Sequence, residues 1–360
     1  MSLTSDKLKA DATTSCPSCS CAASPSCAAR ARRRPSPTGG RTTARVGSRA
    51  SACGCGPSQP TLHHIFRGLD CARLEECVTG WVERVLRGGA RIEGLAIDGK
   101  TLRGSARQGA AESHLVSALS HRLGAVVAQL AVPDKSHEIG HLEPLPAALV
   151  LEGRVVTADA LHTQREVAQA IISRGGDYLL PVKENQPALR QDIALVFAHR
   201  QTLADTITSA QTTDSHGGRI TQRRLCASTA LQGYLSWPGH AQVLELRRVV
   251  TNKPTSETRQ EVVYGITSLD PERATPAQLL QLCREHWQIE NRLHWVRDVT
   301  FDEDRSQVRA GHAPQVMAAL RNVAISVLRP CGADNIAAAC RRYAAQPALA
   351  LAAVGLRRRE

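Results

Sequence analysis

The sequence predicts an α/β fold in which helices flank a mixed sheet. Between residues 92 and 202, short apolar runs of strand length alternate with segments of helical periodicity. Residues 203–268 instead alternate apolar and polar positions between turn residues, which predicts a β-rich module inserted before the last helices. Apolar residues make up 42% of the 360-residue chain, enough to bury a core, so wholesale disorder is excluded.

Residues 1–56 show neither helical nor strand periodicity, and three interpretations of them stay open. Cys16 and Cys19 have the CxxC spacing of a metal site, but no second well-spaced pair follows them. The basic run ARARRRP would suit phosphate, although short basic tails are more often solvated. We favour a degenerate or out-of-frame start, because GC-rich DNA read in a wrong frame gives this mixture of Ala, Arg, Pro, Ser, Gly and Cys.

Order is expected to begin near Pro57, and residues 57–90 predict two helices, the remnant of a helical N-terminal region. The first is the amphipathic run in PSQPTLHHIFRGLD. The second has apolar residues at helical spacing in CARLEECVTGWVERVLRGG and stops at its Gly-Gly pair.

The first part of the core, residues 91–202, predicts five strands and three helices. Three antiparallel strands come first, in GLAIDGK, ESHLVSALS and AVVAQLAVP. A loop and a helix are expected in DKSHEIGHLEPLPAALVLEG, and then two further strands in GRVVTADAL and DYLLPVKEN. A helix follows each of these strands, with Thr163 as the N-cap of one and Pro187 in the first turn of the other. This order of elements is that of the ribonuclease-H-like fold.

Residues 269–330 predict two core helices, and residues 331–360 an Ala-rich tail of weakly packed helix. The core helices are expected in PAQLLQLCREHWQIENRLHWVRDV and in HAPQVMAALRNVAISVLRP. Trp287 and Trp295, eight apart on the first of them, are expected to lie in the core rather than to form a platform for base stacking.

Charge and cysteine content suggest a compartment and a partner. The net charge of +12 suits a nucleic acid, although nine Lys and Arg against two Asp place +7 of it in residues 1–60. No secretory signal opens the sequence, and no uncharged apolar stretch of about 18 residues predicts a membrane span. We therefore expect a cytoplasmic protein with reduced thiols.

Three acidic residues share a pattern that suits a metal site. Asp98 closes GLAIDGK, Asp159 ends RVVTADALHT, and Glu290 lies within HWQIENRLHW. Each alone is ordinary: an Asp in a turn, an Asp that stops a strand, a Glu on a helix surface. In the predicted sheet, however, adjacent parallel strands would bring the two Asp side by side, and a crossing helix would add Glu290. Carboxylate oxygens are the ligands that Mg²⁺ prefers, and two such ions can clamp a phosphodiester.

Four sequence blocks occur in an order typical of one family. They are IDGKTLRGS, VVTADALHTQRE, YLLPVKENQP and HWQIENRLHWVRDVTFDEDRSQVR. With them the chain resembles the DDE transposases of bacterial insertion sequences, specifically the H-repeat-associated group, over roughly residues 57–330. The resemblance departs at the front, because residues 1–56 lack the apolar helical region of that group.

The resemblance implies Asp98, Asp159 and Glu290 as a catalytic triad that holds two Mg²⁺ or Mn²⁺ ions. It implies metal-dependent cleavage at the element ends and transfer of the freed 3′-hydroxyl into target DNA. The expected partners are DNA, both element ends and target, and further copies of the chain; the expected location is the cytoplasm, with the nucleoid.

The helix of Glu290 also has the spacing of a Tyr-Arg-Glu-Lys signature, at Cys283, His286, Glu290 and Arg297. Cys replaces Tyr, His replaces Arg, and Arg replaces Lys, so Arg297 would still hold a DNA phosphate.

Further charged and metal-ligating residues have both a functional and a structural interpretation. The candidates for DNA contact are Lys100, Arg103, Lys183 and Arg297, each against the alternative of a solvated surface charge. Residues 302–304 form a second acidic cluster that we interpret as an N-cap or as flanking a helix, with a metal role as the weaker alternative. His294 with Cys283 fits no common zinc spacing.

Two alternatives to a transposase stay open. One is a catalytically inactive or truncated transposase-derived protein that only binds DNA. The other is a ribonuclease-H-like nuclease without strand transfer, which the insertion before Glu290 makes the weaker interpretation.

Overall fold

The structure, a computed structural model, describes residues 57–86, 92–105, 112–132 and 149–355. The predictions for residues 1–56 lie outside these ranges, as does most of the loop and helix expected between the third and fourth strands.

A mixed sheet forms the centre of the described fold. Its strands are β1 (Glu93–Leu102), β2 (Ser113–Ser120), β3 (Val126–Val132), β4 (Arg154–Ala158), β5 (Asp177–Val182), β6 (Ile207–His216), β7 (Arg219–Ser228), β8 (Gln242–Asn252) and β9 (Thr258–Thr267). Their order across the sheet is β3-β2-β1-β4-β5-β9-β8-β7-β6. Strands β1, β4 and β5 are parallel, and β2 runs antiparallel to both β1 and β3. This arrangement confirms the predicted ribonuclease-H-like class.

The predicted β-rich module continues the same sheet. Strands β6 to β9 are antiparallel neighbours. Strand β9 also pairs with β5, from Leu179 opposite Thr267 to Val182 opposite Tyr264. This pairing uses the edge of β5 that would otherwise carry unpaired backbone groups, so the inserted strands are built onto the core.

Helices cover the sheet and connect its strands. They are α1 (Gln59–Gly68), α2 (Cys71–Leu86), α3 (Arg165–Ser173), α4 (Pro187–Ala198), α5 (Pro276–His286), α6 (Ala313–Leu328), α7 (Ile336–Ala345) and α8 (Pro347–Ala353). None of the helices in the described ranges is long and apolar enough to cross a membrane.

The helix starts confirm one sequence signal and correct another. Pro187 opens α4, as predicted. The predicted cap Thr163 is wrong, because Gln164 occupies the N-cap position of α3 and makes no side-chain cap. The Thr163 hydroxyl instead donates to the Pro181 carbonyl at 2.6 Å, so it ties the loop after β4 to β5.

Alternation along β1 separates two cores. Leu95 and Ile97 pack into the core that contains the apolar residues of α3 and α4. Ala96 faces the other way and packs with Ile289 and Leu293, which follow α5. Because side chains alternate along a strand, the even-numbered positions of β1 face the element that carries Glu290.

Candidate active site

The sequence suggested that Asp98 ends the first strand, but Asp98 lies within β1. Strand β1 pairs with β2 as far as Leu102, but its pairing with β4 stops where Ile97 lies opposite Ala158. Asp98 is therefore the first residue of β1 beyond the end of β4. It shares the alternation of Ala96, which faces the segment after α5.

Asp159 follows β4 directly. Its Oδ1 accepts a hydrogen bond from the Ala160 N–H at 2.6 Å and so caps a short 3₁₀ turn. The carboxylate is half exposed, and its Oδ1 lies 3.9 Å from the Lys183 Nζ. Ile97 of β1 lies opposite Ala158 of β4. The residues that follow them, Asp98 and Asp159, are therefore neighbours at the same edge of the sheet.

Glu290 lies on a helix whose winding the sequence did not predict. The expected single α-helix is α-helical only to His286 and continues as two π-helical segments, Ile289–His294 and Val296–Thr300. Ile289 and Leu293 anchor the first segment in the core, while Glu290 is exposed. Single turns of π-helix are rare and frequently occur at functional sites.

These elements bring a compact group of possible metal ligands together. One ligand atom each from Asp98, Glu290 and His294 lie within 4.8 Å of one another. Asp159 falls outside this group, although it starts from the neighbouring strand end. The sequence analysis did not predict His294 as a metal ligand, because its spacing from Cys283 matches no zinc pattern. Its distance of four residues from Glu290, about one helical turn, was the available signal.

Two hydrogen bonds and one ion-pair contact fix the end of α5 above β4. The Thr157 hydroxyl lies 3.0 Å from His286 Nδ1 and 3.2 Å from His121 Nε2. His121 Nδ1 in turn lies 3.4 Å from Glu285 Oε2. These contacts place the last turn of α5 beside β4, one turn before Glu290.

The pKa values in the site follow from burial and neighbouring charges. Burial lowers the pKa of His286 to about 4, although Asp98 and Asp159 act in the opposite direction. His286 is therefore neutral at pH 7, so this position lacks the positive charge of the Arg in the signature. Burial acts to raise the pKa of Asp98, but the imidazole of His294 and the Gly99 N–H outweigh it, and the net shift is downward. Asp98 is accordingly ionised at neutral pH.

Two of the four residues predicted to contact DNA have charges that are buried in ion pairs, and their contact with DNA stays a prediction. The Arg297 side chain is 0% exposed, and its Nε donates to Glu303 Oε2 at 2.7 Å. The Lys100 side chain is 11% exposed, and its Nζ lies 2.6 Å from Asp298 Oδ1. Both acidic partners, Asp298 and Glu303, lie in the same sequence block as Arg297.

The other two candidates, Arg103 and Lys183, have exposed side chains near the site. Arg103 Nη1 lies 3.8 Å from Asp304 Oδ2, a surface contact that leaves the guanidinium accessible. Both side chains are therefore placed where a ligand could reach them.

The sequence analysis expected the two tryptophans to lie in the core, but both are exposed. Trp287 is 65% exposed and Trp295 is 55% exposed. The positions that pack against the sheet in this stretch are Ile289, Leu293 and Val296, and both tryptophans lie off that stripe. Cys283, at the Tyr position of the signature, packs against the core of α5, and burial raises its pKa to about 12.

The sequence analysis did not predict a group of three arginines on the added strands and on α5. Arg223 of β7 lies opposite Arg248 of β8, and Arg284 of α5 joins them. The pKa of Arg223 is lowered, first by burial and then by the charge of Arg284. Two acids balance part of this charge: Asp214, at 2.5 Å from Arg223 and 3.0 Å from Arg284, and Glu261, at 3.6 Å from Arg248. We call Arg223, Arg248 and Arg284 the arginine cluster.

Comparison with known families and proteins gives consistent matches. Residues 89–327 match the family model described as "Transposase DDE domain". The H repeat-associated candidate transposase YhhI of Escherichia coli K12 is 29% identical over 283 residues, which cover 76% of this chain and 73% of YhhI. The candidate transposase YncI of Escherichia coli O157:H7 is 30% identical over 290 residues, covering 76% of this chain and 71% of YncI.

One solved structure also matches the chain, with lower sequence identity than these relatives. It is a cryo-EM structure of the piggyBac transposase synaptic complex with hairpin DNA. The match has a TM-score of 0.39 and 10% sequence identity, and it covers 70% of this chain and 51% of that chain.

Proposed function

The chain belongs to the family of transposases with a DDE domain, and from this premise we propose that it moves a bacterial insertion sequence. In this proposal it cleaves DNA at the element ends and joins the freed 3′-hydroxyls to target DNA. The observation that carries the proposal is the approach of Asp98 to Glu290, beside the strand end that bears Asp159.

The donor set fits divalent cations. Asp98 is ionised, and an oxygen of Glu290 lies within 4.8 Å of it, so the two carboxylates repel each other unless a cation lies between them. Carboxylate oxygens suit Mg²⁺ and Mn²⁺. We propose that Asp98, Asp159 and Glu290 hold two such ions, which would stabilise charge on the attacking and leaving oxygens of the phosphodiester.

The proposed chemistry needs no covalent bond between protein and DNA. In the first step a water oxygen bonds to phosphorus, the bond from phosphorus to the 3′ oxygen breaks, and a proton reaches that oxygen. The products are a 3′-hydroxyl and a 5′-phosphate. In the second step the oxygen of the 3′-hydroxyl bonds to a target phosphorus, the bond from that phosphorus to the target's own 3′ oxygen breaks, and the leaving 3′ oxygen takes up the proton that the hydroxyl loses. Cys283 is unsuited to act as a nucleophile, because its thiol remains protonated at neutral pH.

Basic groups at and beside the site mark the proposed DNA path. Lys183 and Arg103 flank the site, and the arginine cluster extends from α5 onto the added strands. Guanidinium groups that repel each other are stabilised by a polyanion such as the DNA backbone. We further propose that the protein works as a homo-oligomer on chromosomal DNA in the cytoplasm, because two element ends must be brought together.

The test uses DNA cloned from both sides of the gene, which contains the ends if the gene lies in an insertion sequence. Labelled fragments are incubated with the full chain and Mg²⁺, and cleavage and joining are read on gels. Asp98→Asn, Asp159→Asn and Glu290→Gln are compared with Asp205→Asn and Glu272→Gln, which change exposed acids that are not part of the proposed metal site. We expect cleavage and joining by the wild type and both controls, and loss in the three site variants.

The other outcomes identify the alternatives. Cleavage without joining would indicate a nuclease, and DNA binding without cleavage would indicate an inactive DNA-binding protein. Equal cleavage by wild type and Asp159→Asn would show that the proposed metal site is wrong.

A further inference from the structure

His294 is buried beside the two acids with unused hydrogen-bonding capacity. The residue is only 4% exposed. Neither Nδ1 nor Nε2 has a hydrogen-bond partner within the described part of the chain. The nearest charged atom is Asp98 Oδ2, 3.4 Å from Nε2, in a contact that lacks the alignment of a hydrogen bond. A buried polar atom without a partner costs about 1–3 kcal/mol, so a further group is expected at this imidazole.

The location of the imidazole indicates what that group is. One of its nitrogens belongs to the set of ligand atoms, with Asp98 and Glu290, that lie within 4.8 Å of one another. Burial of the adjacent Leu293 holds the π-helical segment against the sheet, so the ring has little freedom to turn to solvent. Imidazole nitrogen and carboxylate oxygen together are a common donor set for transition-metal ions.

We propose that His294 supplies a nitrogen ligand to the cation that Asp98 and Glu290 hold. The inference rests on the proposed function, and it divides the two ions of that proposal. One ion has a mixed nitrogen and oxygen site at Asp98, Glu290 and His294. The other is served by Asp159, which stands outside this group, and has oxygen ligands.

A nitrogen ligand changes the preference of the site among cations. Mg²⁺ favours oxygen ligands, whereas Mn²⁺, Co²⁺ and Zn²⁺ accept imidazole more readily. The mixed site therefore prefers Mn²⁺ to Mg²⁺, and replacing His294 with an oxygen donor reduces that preference. A role in which His294 only positions Asp98 predicts no nitrogen in the coordination shell.

The experiment measures Mn²⁺ bound to the metal-free full chain in the absence of DNA. Electron paramagnetic resonance follows the loss of free Mn²⁺ during titration, and electron spin-echo modulation detects nitrogen bound to the ion. We expect nitrogen modulation in the wild type, which changes to the ¹⁵N pattern when histidine is labelled with ¹⁵N. The labelled wild type gives this result without any substitution that could disturb folding.

Variants assign the nitrogen to one histidine. His294→Gln is expected to lose the modulation and to bind Mn²⁺ about 10-fold or more weakly, the scale of losses when a metal site is perturbed. His294→Asp is expected to bring the affinities for Mn²⁺ and Mg²⁺ closer together. The modulation is expected to persist in His286→Gln, whose imidazole already contacts Thr157, and in the exposed control His216→Gln.

Each failure has its own signature. Mn²⁺ that binds in an Asp98-dependent way but shows only oxygen ligands would overturn the role of His294 and leave the transposase proposal intact. Modulation that survives in His294→Gln would also overturn it. Absence of Asp98-dependent Mn²⁺ binding would overturn this inference directly, while the cleavage assay decides the proposed function separately.

Discussion

The substitution Glu303→Gln probes the buried charges that hold the Glu290 helix in place. Glu303 is buried and accepts from two arginines, from Arg297 Nε at 2.7 Å and from Arg321 Nη1 at 2.9 Å. Within the described residues, Nη1 and Nη2 of Arg297 have no hydrogen-bond partner. The carboxylate of Glu303 is therefore the main compensation for a guanidinium that water does not reach.

The size of the effect follows from these contacts. Each hydrogen bond between charged groups contributes about 1.5–3 kcal/mol, and glutamine weakens both. Removing one partner of a buried ion pair typically costs about 3–5 kcal/mol, because the other charge is left uncompensated. We expect Glu303→Gln to lower the free energy of unfolding by about 3–5 kcal/mol.

The matched control is Asp302→Asn, one residue earlier. Asp302 forms an exposed ion pair with Arg305 at 3.7 Å, and such pairs contribute about 0–1 kcal/mol. Asn also tolerates the left-handed backbone of this residue, at φ 49°. Urea unfolding followed by circular dichroism compares the two variants. A loss in Glu303→Gln no larger than that in Asp302→Asn would refute the reasoning about buried charge.

Three further predictions concern pH, salt and the exposed tryptophans. The folded pKa of His286 is about 4 and its ordinary value is 6.5, so only the unfolded chain takes up this proton between those values. The stability that the neutral imidazole contributes is therefore lost as pH falls from 6.5 towards 4. In the metal-free protein, His286→Gln should reduce the loss of unfolding free energy between pH 7 and pH 4 by at most about 3 kcal/mol, measured by urea unfolding. Equal losses of unfolding free energy in wild type and variant would contradict the lowered pKa of His286. Arg248→Gln should weaken binding of duplex DNA and reduce the slope of log affinity against log salt by about 1, read by fluorescence anisotropy, whereas an unchanged slope would place DNA elsewhere. Trp295→Ser should change the free energy of unfolding by less than about 1 kcal/mol, because the ring is exposed, and a loss of the 3–5 kcal/mol typical of buried tryptophans would show that it packs.

The sequence was most informative where local pattern decides structure. Apolar runs of strand length identified β1 to β5, and the turn signals identified the β-rich stretch that became β6 to β9. The positions of Asp98 and Asp159 at neighbouring strands could be proposed because sheet order constrains which strand ends meet. The pairing of β9 with β5 was missed, because it depends on backbone edges that sequence patterns do not show.

The sequence was least informative where side-chain direction depends on winding and distant partners. Trp287 and Trp295 were expected in the core, but Ile289, Leu293 and Val296 are the residues of this stretch that pack there, and both tryptophans are exposed. Arg297 looked like a basic surface residue, since nothing local shows that Glu303 folds back to meet it. His294 became a site residue only when the structure placed one of its ring nitrogens within 4.8 Å of ligand oxygens of Asp98 and Glu290.

The proposed function depends on a divalent cation that the carboxylates of Asp98 and Glu290 share. Crystals of the full chain soaked in Mn²⁺ test it directly, because anomalous scattering locates the ion without assumptions about the ligands. We expect an anomalous peak within about 2.0–2.6 Å of an oxygen from each carboxylate, absent in crystals of Asp98→Asn. A Mn²⁺ peak at saturation that contacts neither Asp98 nor Glu290, in protein that still cleaves DNA, would contradict the claim.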